Sequence, residues 1–355
     1  MRVAFETSPI YISRAGTSRY VRSLWRAFQS NPVQSEQVEE FVWPVSTLEM
    51  GRWRKTACTV YRELLWPRIA AIPRLRRGNF DVFHSTGNIL LEPPKNVAHV
   101  VTLLDLAVLR YPHRFRRWHR FSARRQLQHL HQASRIICIS QFTADEAISL
   151  MGIPAKKLEV VHLGSDFHSS EAPPQEQRPA VTLPSEFFLF VGTLEPGKNL
   201  ALLREAYLAA DSRGIVLPPL LIAGARWQGV AREGPAPKGW LYLGHVTDAE
   251  LVFLYRRARG LVFPSIYEGF GLPVLEAMAL GCPVICSAVA SLPEVGGDAV
   301  EMAALNAGAY LQAMQRLSTQ DELSDSLRRQ GRIQAERFSW ARCADETWRV
   351  YEMVG

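Results

Sequence analysis

Two glutamates eight positions apart, with a glycine-bearing turn between them, are the side chains of this 355-residue sequence best suited to chemistry. Glu268 stands before Gly269 and Gly271, and Glu276 lies one turn into a predicted helix. The glycines let the backbone turn and approach a ligand, and the positive end of a helix suits a phosphate. Two carboxylates would repel a bare phosphate, so they are better placed to accept hydrogen bonds from hydroxyls on either side of it. A nucleotide sugar has this pattern; the alternative is that both glutamates are solvated charges beside an ordinary turn.

A strand and a helix must position this turn. The apolar run 260–263 before it predicts a buried strand, and the apolar segment 274–280 after it predicts a helix with Pro273 at its first position. The turn is therefore expected at the carboxyl end of a strand, where parallel sheets flanked by helices bind their ligands.

Apolar runs that alternate with helical stretches predict two α/β domains with parallel sheets. The strand candidates are 3–7, 81–85, 97–105, 135–140 and 159–164 in the first half, and 187–193, 220–225, 240–246, 260–265 and 283–287 in the second. Residues 169–180 contain three prolines and no apolar periodicity, which is typical of a linker. The predicted boundaries are 1–168 for the first domain, 169–184 for the linker, 185–337 for the second domain and 338–355 for a C-terminal helix.

The composition, with 47 % hydrophobic and 21 % charged residues, is that of an ordinary soluble globular protein. The sequence has no run of about eighteen apolar residues, and Glu6 interrupts the N-terminus before a signal-peptide core could form. These features favour a cytoplasmic protein. The five cysteines are odd in number and lack zinc-ligand spacing, so free thiols are expected.

Basic charge is concentrated in the first half of the chain. Residues 1–165 contain 24 Lys and Arg against 12 Asp and Glu, a net charge of +12, whereas the remainder has a net charge of −5. Arginines mixed with aromatic residues favour docking on an anionic membrane surface. The alternatives are a merely solvated basic face and nucleic-acid binding, although no recognisable nucleic-acid module accompanies the charge. The predicted membrane face comprises Arg114, Arg116, Arg117, Trp118, Arg120, Arg124 and Arg125.

The segment from Glu268 to Glu276 resembles the Glu-x7-Glu element of the retaining glycosyltransferases of family 4 (GT4). The resemblance covers nearly the whole chain and is strongest over 187–300. It implies the GT-B fold, in which two Rossmann-like domains with parallel sheets face each other across a cleft and the C-terminal helix crosses back onto the N-terminal domain. By this resemblance, Glu268 contacts the donor hexose and Glu276 contacts the nucleotide ribose. The first domain would bind the acceptor, and the second would bind the nucleotide sugar.

Other segments resemble donor-binding parts of the family. One loop resembles the family loop that grips the donor phosphates, with Lys198 as the cation that stabilises the leaving diphosphate; many relatives carry an arginine where this sequence has Thr193. The backbone at Val246 matches the position that meets the nucleobase, so the side chain there does not identify the base. Of a two-glycine loop near the N-terminus only Gly16 is present, and a plain turn before a helix is the alternative. The implied donor-binding set is Gly16, Thr193, Lys198, Val246, Glu268, Gly269, Phe270, Gly271, Leu272 and Glu276.

The resemblance implies three catalytic residues, Asp105, Lys198 and Glu268. Asp105 ends a predicted strand where the family usually has His-Asp, but the histidine position is occupied by Leu104 in this sequence. The alternative role of Asp105 is to cap the element that follows. His84, at the end of another predicted strand, is either a structural histidine or a cleft residue.

The resemblance implies a metal-independent, cofactor-free hexosyltransferase that retains the configuration of the transferred sugar. Both loops resemble those of mannosyl- and rhamnosyltransferases of bacterial surface polysaccharide and lipopolysaccharide synthesis, which favours GDP-mannose over UDP- or dTDP-sugars as the donor. The expected partners are a nucleotide sugar, a glycan or lipid-linked acceptor and an anionic membrane, but not nucleic acid. The expected location is the cytoplasmic face of the inner membrane. The rival hypotheses are a GT-B sugar-nucleotide epimerase or hydrolase and a basic nucleic-acid-binding protein.

Overall fold

The chain folds into two compact α/β units in the computed structural model. The first unit combines Met1–Gly164 with Trp340–Gly355, and the second is Ser165–Ser339. The described residues are 1–12, 16–43, 45–46, 50–86, 91–115, 117–167, 176–226, 230 and 233–355, and some side chains within helices 52–64 and 117–128 are also outside the description.

The first unit is built on a parallel sheet that has six strands among the described residues, in the order β2-β1-β3-β4-β5-β6. The strands are β1 (Val3–Glu6), β2 (Val38–Phe41), β3 (Val82–Ser85), β4 (Ala98–Leu103), β5 (Arg135–Cys138) and β6 (Leu158–Val160). The helices are α1 (Ser8–Ile12), α2 (Gly16–Ser30), α3 (Pro32–Ser35), α4 (Arg52–Leu64), α5 (Ile72–Arg77), α6 (Ala107–Arg110), α7 (Arg117–Gln128) and α8 (Gln141–Met151). A π-helical segment, Pro67–Ala71, leads into α5.

The second unit repeats this construction around a second parallel sheet. Its order is β12-β11-β10-β7-β8-β9. The strands are β7 (Phe188–Val191), β8 (Leu220–Ala223), β9 (Trp240–Gly244), β10 (Gly260–Phe263), β11 (Val284–Ser287) and β12 (Glu301–Ala303). The helices are α9 (Leu200–Ser212), α10 (Asp248–Arg257), α11 (Leu272–Ala279), α12 (Leu292–Gly296), α13 (Ala307–Thr319) and α14 (Asp321–Ala335), and the last helix of the chain is α15 (Trp340–Glu352).

The ten predicted strands are all confirmed, but two edge strands, β2 and β12, were missed. Strand β2 has Glu39 and Glu40 at its centre, and β12 is only three residues long. An edge strand needs little apolar surface because one side of it has no neighbouring strand, so it lacks the apolar run that marks central strands.

Helix α15 is an integral part of the first unit, as predicted for the C-terminal helix. It packs with α2 on one face of the first sheet, where the ring of Tyr351 lies 6.1 Å from that of Phe28 and the ring of Trp340 lies 6.3 Å from that of Tyr20. This helix therefore completes the core formed by the beginning of the chain.

The described part of the predicted linker belongs to the second unit. Glu176 pairs with Arg256 and Arg257 of α10, at 3.1 and 3.0 Å, and Gln177 donates its N–H to the carbonyl of Ala249. Residues 168–175 lie outside the described part of the chain. Among the described helices, none is long and apolar enough to span a bilayer.

His84 holds α15 against the sheet through a fully buried hydrogen-bond network. Its Nδ1 lies 2.6 Å from the hydroxyl of Tyr351, and its Nε2 lies 2.7 Å from the hydroxyl of Thr102, which in turn lies 2.8 Å from that of Tyr20. Burial lowers the pKa of His84 to about 3, and burial also lowers the pKa of neighbouring His99 to about 4. Of the two hypotheses for His84, the structural role is the one that this packing supports.

These two histidines make the first unit sensitive to acid. In the unfolded chain both rings titrate near pH 6.5, whereas the folded rings stay neutral to about pH 4, so stability is lost as pH falls between those values. We expect the free energy of unfolding to fall by roughly 1 kcal/mol per pH unit for each histidine. Urea unfolding at several pH values should show this slope. His84→Gln keeps hydrogen-bonding capacity but cannot titrate, so it should reduce the slope by the contribution of one histidine. An unchanged slope in that variant would contradict the assignment.

Candidate functional site

The predicted turn lies at the carboxyl end of β10, and its first glutamate is held by an ion pair. Nζ of Lys198 lies 2.5 Å from Oε1 of Glu268, and the two side chains are only 19 % and 11 % exposed. Lys198 also lies over the ring of Phe263, 5.3 Å from its centroid. The ammonium is thus fixed beside the carboxylate by two kinds of electrostatic contact.

The loop after β7 is shaped to present Lys198. A carboxylate oxygen of Glu195 accepts the N–H of Gly197 at 2.9 Å, and Asn199 adopts a left-handed conformation with φ of 54°. The carbonyl of Gly197 accepts the N–H of Ile266 at 2.9 Å, which joins this loop to the loop after β10. These contacts bring the loop after β7 and the loop after β10 together.

Glu276 lies inside the second unit, with only 3 % of its surface exposed. The hydroxyl of Tyr255 lies 3.3 Å from Oε2 of Glu276 and 3.3 Å from the carbonyl oxygen of Pro273. Tyr255 is itself buried on α10. A buried carboxylate needs hydrogen-bond donors in place of water, and the hydroxyl of Tyr255 is such a donor. This contact fixes the orientation of the Glu276 carboxylate.

Helix α11 begins at Leu272, one residue before the predicted start at Pro273. Gly271 has φ of 101°, and a Cβ there would lie 2.6 Å from the side chain of Leu292. The carbonyl of Gly271 accepts the N–H groups of Val274 and Leu275, and Pro273 has no N–H. Backbone N–H contacts to an anion would therefore come from Leu272 or from the loop before it, a narrower set than the sequence predicted.

The loops after β7 and β8 pack against each other through two glycines. Gly192 and Gly224 have φ of 150° and 147°, and a Cβ on Gly224 would lie 1.9 Å from the carbonyl oxygen of Gly192. Beyond Gly224, Arg226 forms a two-point ion pair with Glu233 at 2.7 and 2.9 Å, which raises the pKa of the guanidinium. Only a glycine at position 224 permits its backbone to come this close to the carbonyl oxygen of Gly192.

Comparison with known proteins identifies this arrangement. The protein-family model described as Glycosyltransferase Family 4 matches residues 15–168. The protein-family model described as Glycosyl transferases group 1 matches residues 174–334. The MMP alpha-(1->4)-mannosyltransferase of Mycolicibacterium hassiacum is 30 % identical over 312 residues, which are 80 % of this chain and 73 % of that protein. The chain belongs to glycosyltransferase family 4.

Two further relatives of this family 4 chain agree with that assignment. O-antigen chain mannosyltransferase B of Escherichia coli is 38 % identical over 246 residues, and the match spans 63 % of this chain but only 62 % of that relative's length. The structure of sucrose-phosphate synthase from Thermosynechococcus elongatus is 18 % identical, covers 99 % of this chain and 98 % of its own, and has a TM-score of 0.73. The latter shows that the fold is GT-B.

The remaining predicted site residues of this family 4 chain are divided between its two units. Thr193 follows β7, and Val246 lies between β9 and α10; both are half-buried. Gly16 is the first residue of α2 in the first unit, with nothing within 4 Å of where its Cβ would lie. Asp105, also in the first unit, accepts the N–H of Ala107 with Oδ1 at 3.0 Å. This is a local turn contact rather than the helix cap considered as its alternative role, because the N-cap residue of α6 is Leu106.

The predicted membrane face is only partly described. Arg117 and Arg124 are exposed, and Arg120 is half-buried. The guanidinium of Arg114 lies over the ring of Tyr111, 5.5 Å from its centroid. Arg116 and the side chains of Trp118 and Arg125 lie outside the described residues.

Two residues that the sequence did not single out help to build the site of this family 4 chain. Tyr255 and Phe263 belong to apolar patterns of α10 and β10, so nothing in their spacing distinguishes them from ordinary core residues. Among the described residues there is also no group of three or more His, Cys, Asp or Glu side chains placed to hold a metal ion.

The contact between the two glycine loops gives a direct test of the site's architecture. We expect Gly224→Ala to lower the free energy of unfolding by about 3 kcal/mol or more, because the new methyl group would overlap a backbone oxygen. The matched control is Gly214→Ala, where φ is +68° but nothing lies within 4 Å of the new Cβ, so about 1 kcal/mol is expected. Urea unfolding curves of the two variants should differ; equal losses would show that the loops do not pack as described.

Proposed function

We propose that the protein is a retaining hexosyltransferase that transfers mannose from GDP-mannose to a hydroxyl of a lipid-linked or growing cell-surface glycan. The observation that carries the proposal is the ion pair of Lys198 with Glu268, eight positions before buried Glu276, in a chain of glycosyltransferase family 4. The relatives named O-antigen chain mannosyltransferase B and MMP alpha-(1->4)-mannosyltransferase support mannose as the sugar.

In the proposed donor complex the charges and the hydroxyl-binding groups have separate tasks. Lys198 and the backbone around Leu272 meet the diphosphate, Glu276 accepts hydrogen bonds from the ribose, and Glu268 accepts them from the hexose. Because Glu268 is paired with Lys198, its negative charge is balanced where the diphosphate approaches. The same ammonium is then placed to stabilise the leaving group.

The proposed reaction needs no protein nucleophile and no metal ion. The bond between the anomeric carbon and the phosphate oxygen breaks, and its electron pair stays on the diphosphate. The acceptor hydroxyl forms the new glycosidic bond on the same face, and its proton passes to the departing phosphate oxygen. Lys198 stabilises the negative charge that develops on the diphosphate during this step, when such stabilisation is most effective. Asp105 is proposed as a polar group near the transferred sugar.

The proposed setting is the cytoplasmic face of the inner membrane. The net charge of +12 in residues 1–165 supports docking of the first unit on anionic lipids. A lipid-linked acceptor would be reached from such a position. The predicted arginines around α7, from Arg114 to Arg125, are proposed to contribute to this attraction.

A donor panel with an acceptor tests the function. Among GDP-mannose, UDP-glucose and dTDP-rhamnose, we expect GDP-mannose to raise the melting temperature most, since a ligand at a hundred times its Kd stabilises by about 2.7 kcal/mol. With octyl mannoside as a soluble acceptor, release of GDP should depend on the acceptor and persist in EDTA. Release of GDP without acceptor would favour a hydrolase, and isomerised sugar nucleotide an epimerase. Activity restored only by a divalent metal would refute the metal-independent mechanism.

Substitution of the two glutamates should affect different steps, GDP binding for Glu276 and turnover for Glu268. We expect Glu276→Gln to weaken GDP binding by about tenfold or more, the loss of a hydrogen bond to a charged group. Glu268→Gln should keep GDP affinity, because one negative charge near the diphosphate is removed, but should lower kcat. Calorimetry with GDP and initial rates with GDP-mannose measure the two effects. Glu205→Gln on the exposed side of α9 is the matched control. Equal loss of GDP affinity in both site variants would reject these separate roles.

A further inference from the structure

The segment between β2 and β3 combines positive charge with exposed apolar side chains. Residues 51–80 contain eight Lys and Arg and a single Glu, Glu63. On this segment, Trp53 of α4 is 82 % exposed, and Ile69 of the π-helical turn is 62 % exposed. Leu65, four positions before Ile69, is exposed as well. Helices of a water-soluble protein normally place polar residues on their outer side.

The opposite side of the same segment is well packed. Trp66, Ala71 and Leu75 are buried in a core with Phe41 and Phe83 of the sheet. The exposed apolar side chains are therefore not the result of a poorly packed helix. They are apolar side chains that the described part of the chain leaves in water.

Exposed arginines accompany the exposed apolar side chains along this segment. Arg54 and Arg68 are exposed on either side of Leu65 in the sequence. Beside α5 lies an open groove of about 470 Å³, lined by Ile69, Arg74 and Arg77 among others. Glu39, which also lines the groove, is engaged by the guanidinium of Arg2 at 2.5 Å. The guanidinium of Arg74 donates to the carbonyl of Glu40 at 3.0 Å, so Arg77 is the groove arginine placed to meet an anion next to an apolar side chain.

The segment and helix α7 cover the same face of the first sheet. Phe83 and His99 are lateral partners on β3 and β4, and Leu103 follows His99 at an even spacing, so all three point to one side. Phe83 belongs to a core cluster that includes Trp66, which lies between α4 and the π-helical segment, and Leu103 belongs to a cluster against which Leu127 of α7 packs. The segment and α7 therefore lie on the same side of the first sheet.

We propose that α4, the π-helical turn and α5 form the part of the first unit that inserts into an anionic lipid surface. Trp53, Leu65 and Ile69 enter the boundary between headgroups and acyl chains, and Arg54, Arg68 and Arg77 bind the phosphate headgroups. Helix α7 contributes charge but is not the inserted element. An anionic lipid surface fits better than nucleic acid, because exposed Leu65 and Ile69 have no role on a phosphate backbone. This inference rests on the membrane association included in the proposed function.

The test compares three sets of substitutions in the full chain. Trp53→Ser with Ile69→Asn removes the inserted side chains. Arg117→Gln, Arg120→Gln and Arg124→Gln remove charge from α7. Val216→Asn with Ile333→Asn is the matched control, because Val216 and Ile333 are 93 % and 67 % exposed in the second unit. Thermal melting and GDP binding, which depend on the fold and on the second unit, check that each variant is intact.

Binding is measured by sedimentation with vesicles of about 30 % phosphatidylglycerol in phosphatidylcholine, at about 0.15 M and about 0.5 M NaCl, where charge attraction is strongly screened. We expect the Trp53 and Ile69 variant to lose binding by about tenfold at low salt and entirely at high salt, since apolar insertion is not screened. The α7 variant should lose binding mainly at low salt. The control should bind like the unmodified protein.

Three results would overturn the inference. If the Trp53 and Ile69 variant binds like the control, the segment is not inserted. If only the α7 variant is released from the vesicles, the protein does bind the membrane, but the assignment of α4, the π-helical turn and α5 as the inserted element is wrong. If the unmodified protein ignores the anionic vesicles while still turning over GDP-mannose, membrane association is refuted and the proposed transfer reaction is not.

Discussion

The ion pair between Lys198 and Glu268 is the contact on which the candidate site depends, because it joins loops that are 70 positions apart in the sequence. Both side chains are mostly buried, so each charge has lost much of its hydration and is compensated by the other. The ring of Phe263 and the bond from Ile266 to the carbonyl of Gly197 keep the pair in place. Removing Lys198 would leave the carboxylate of Glu268 mostly buried without a compensating charge.

Much of this architecture follows from the sequence, because central parallel strands are apolar on successive residues and glycines mark the turns after them. The runs that became β7 and β10 were recognisable for that reason. Short local patterns act in the same way, and Thr247 and Glu250 form a capping box at the start of α10. Edge strands such as β2 escaped because Glu39 and Glu40 interrupt any apolar pattern, and their position is decided by the neighbouring strand rather than by their own composition.

The partners of individual side chains could not be predicted, since they depend on contacts far apart in the chain. Lys198 and Glu268 were each identifiable beside a glycine turn, but nothing local indicates that they meet. Tyr255 has the spacing of a core residue, and its contact with Glu276 follows only from the packing of α10 on α11. Similarly, the positive charge of residues 51–80 is visible in the sequence. The exposure of Ile69, in the π-helical segment after α4, emerges only from the folded structure.

Helix α15 has a consequence for the order in which the chain acquires its structure. The second unit, Ser165–Ser339, is continuous in sequence, whereas the first unit needs both Met1–Gly164 and Trp340–Gly355. During synthesis the N-terminal part therefore emerges with Phe28 and the face of α2 that α15 covers still open to water. The unit that contains β1 to β6 is completed only after the second unit has been synthesised and has had time to fold, so chaperones are expected to act on the first sheet rather than the second.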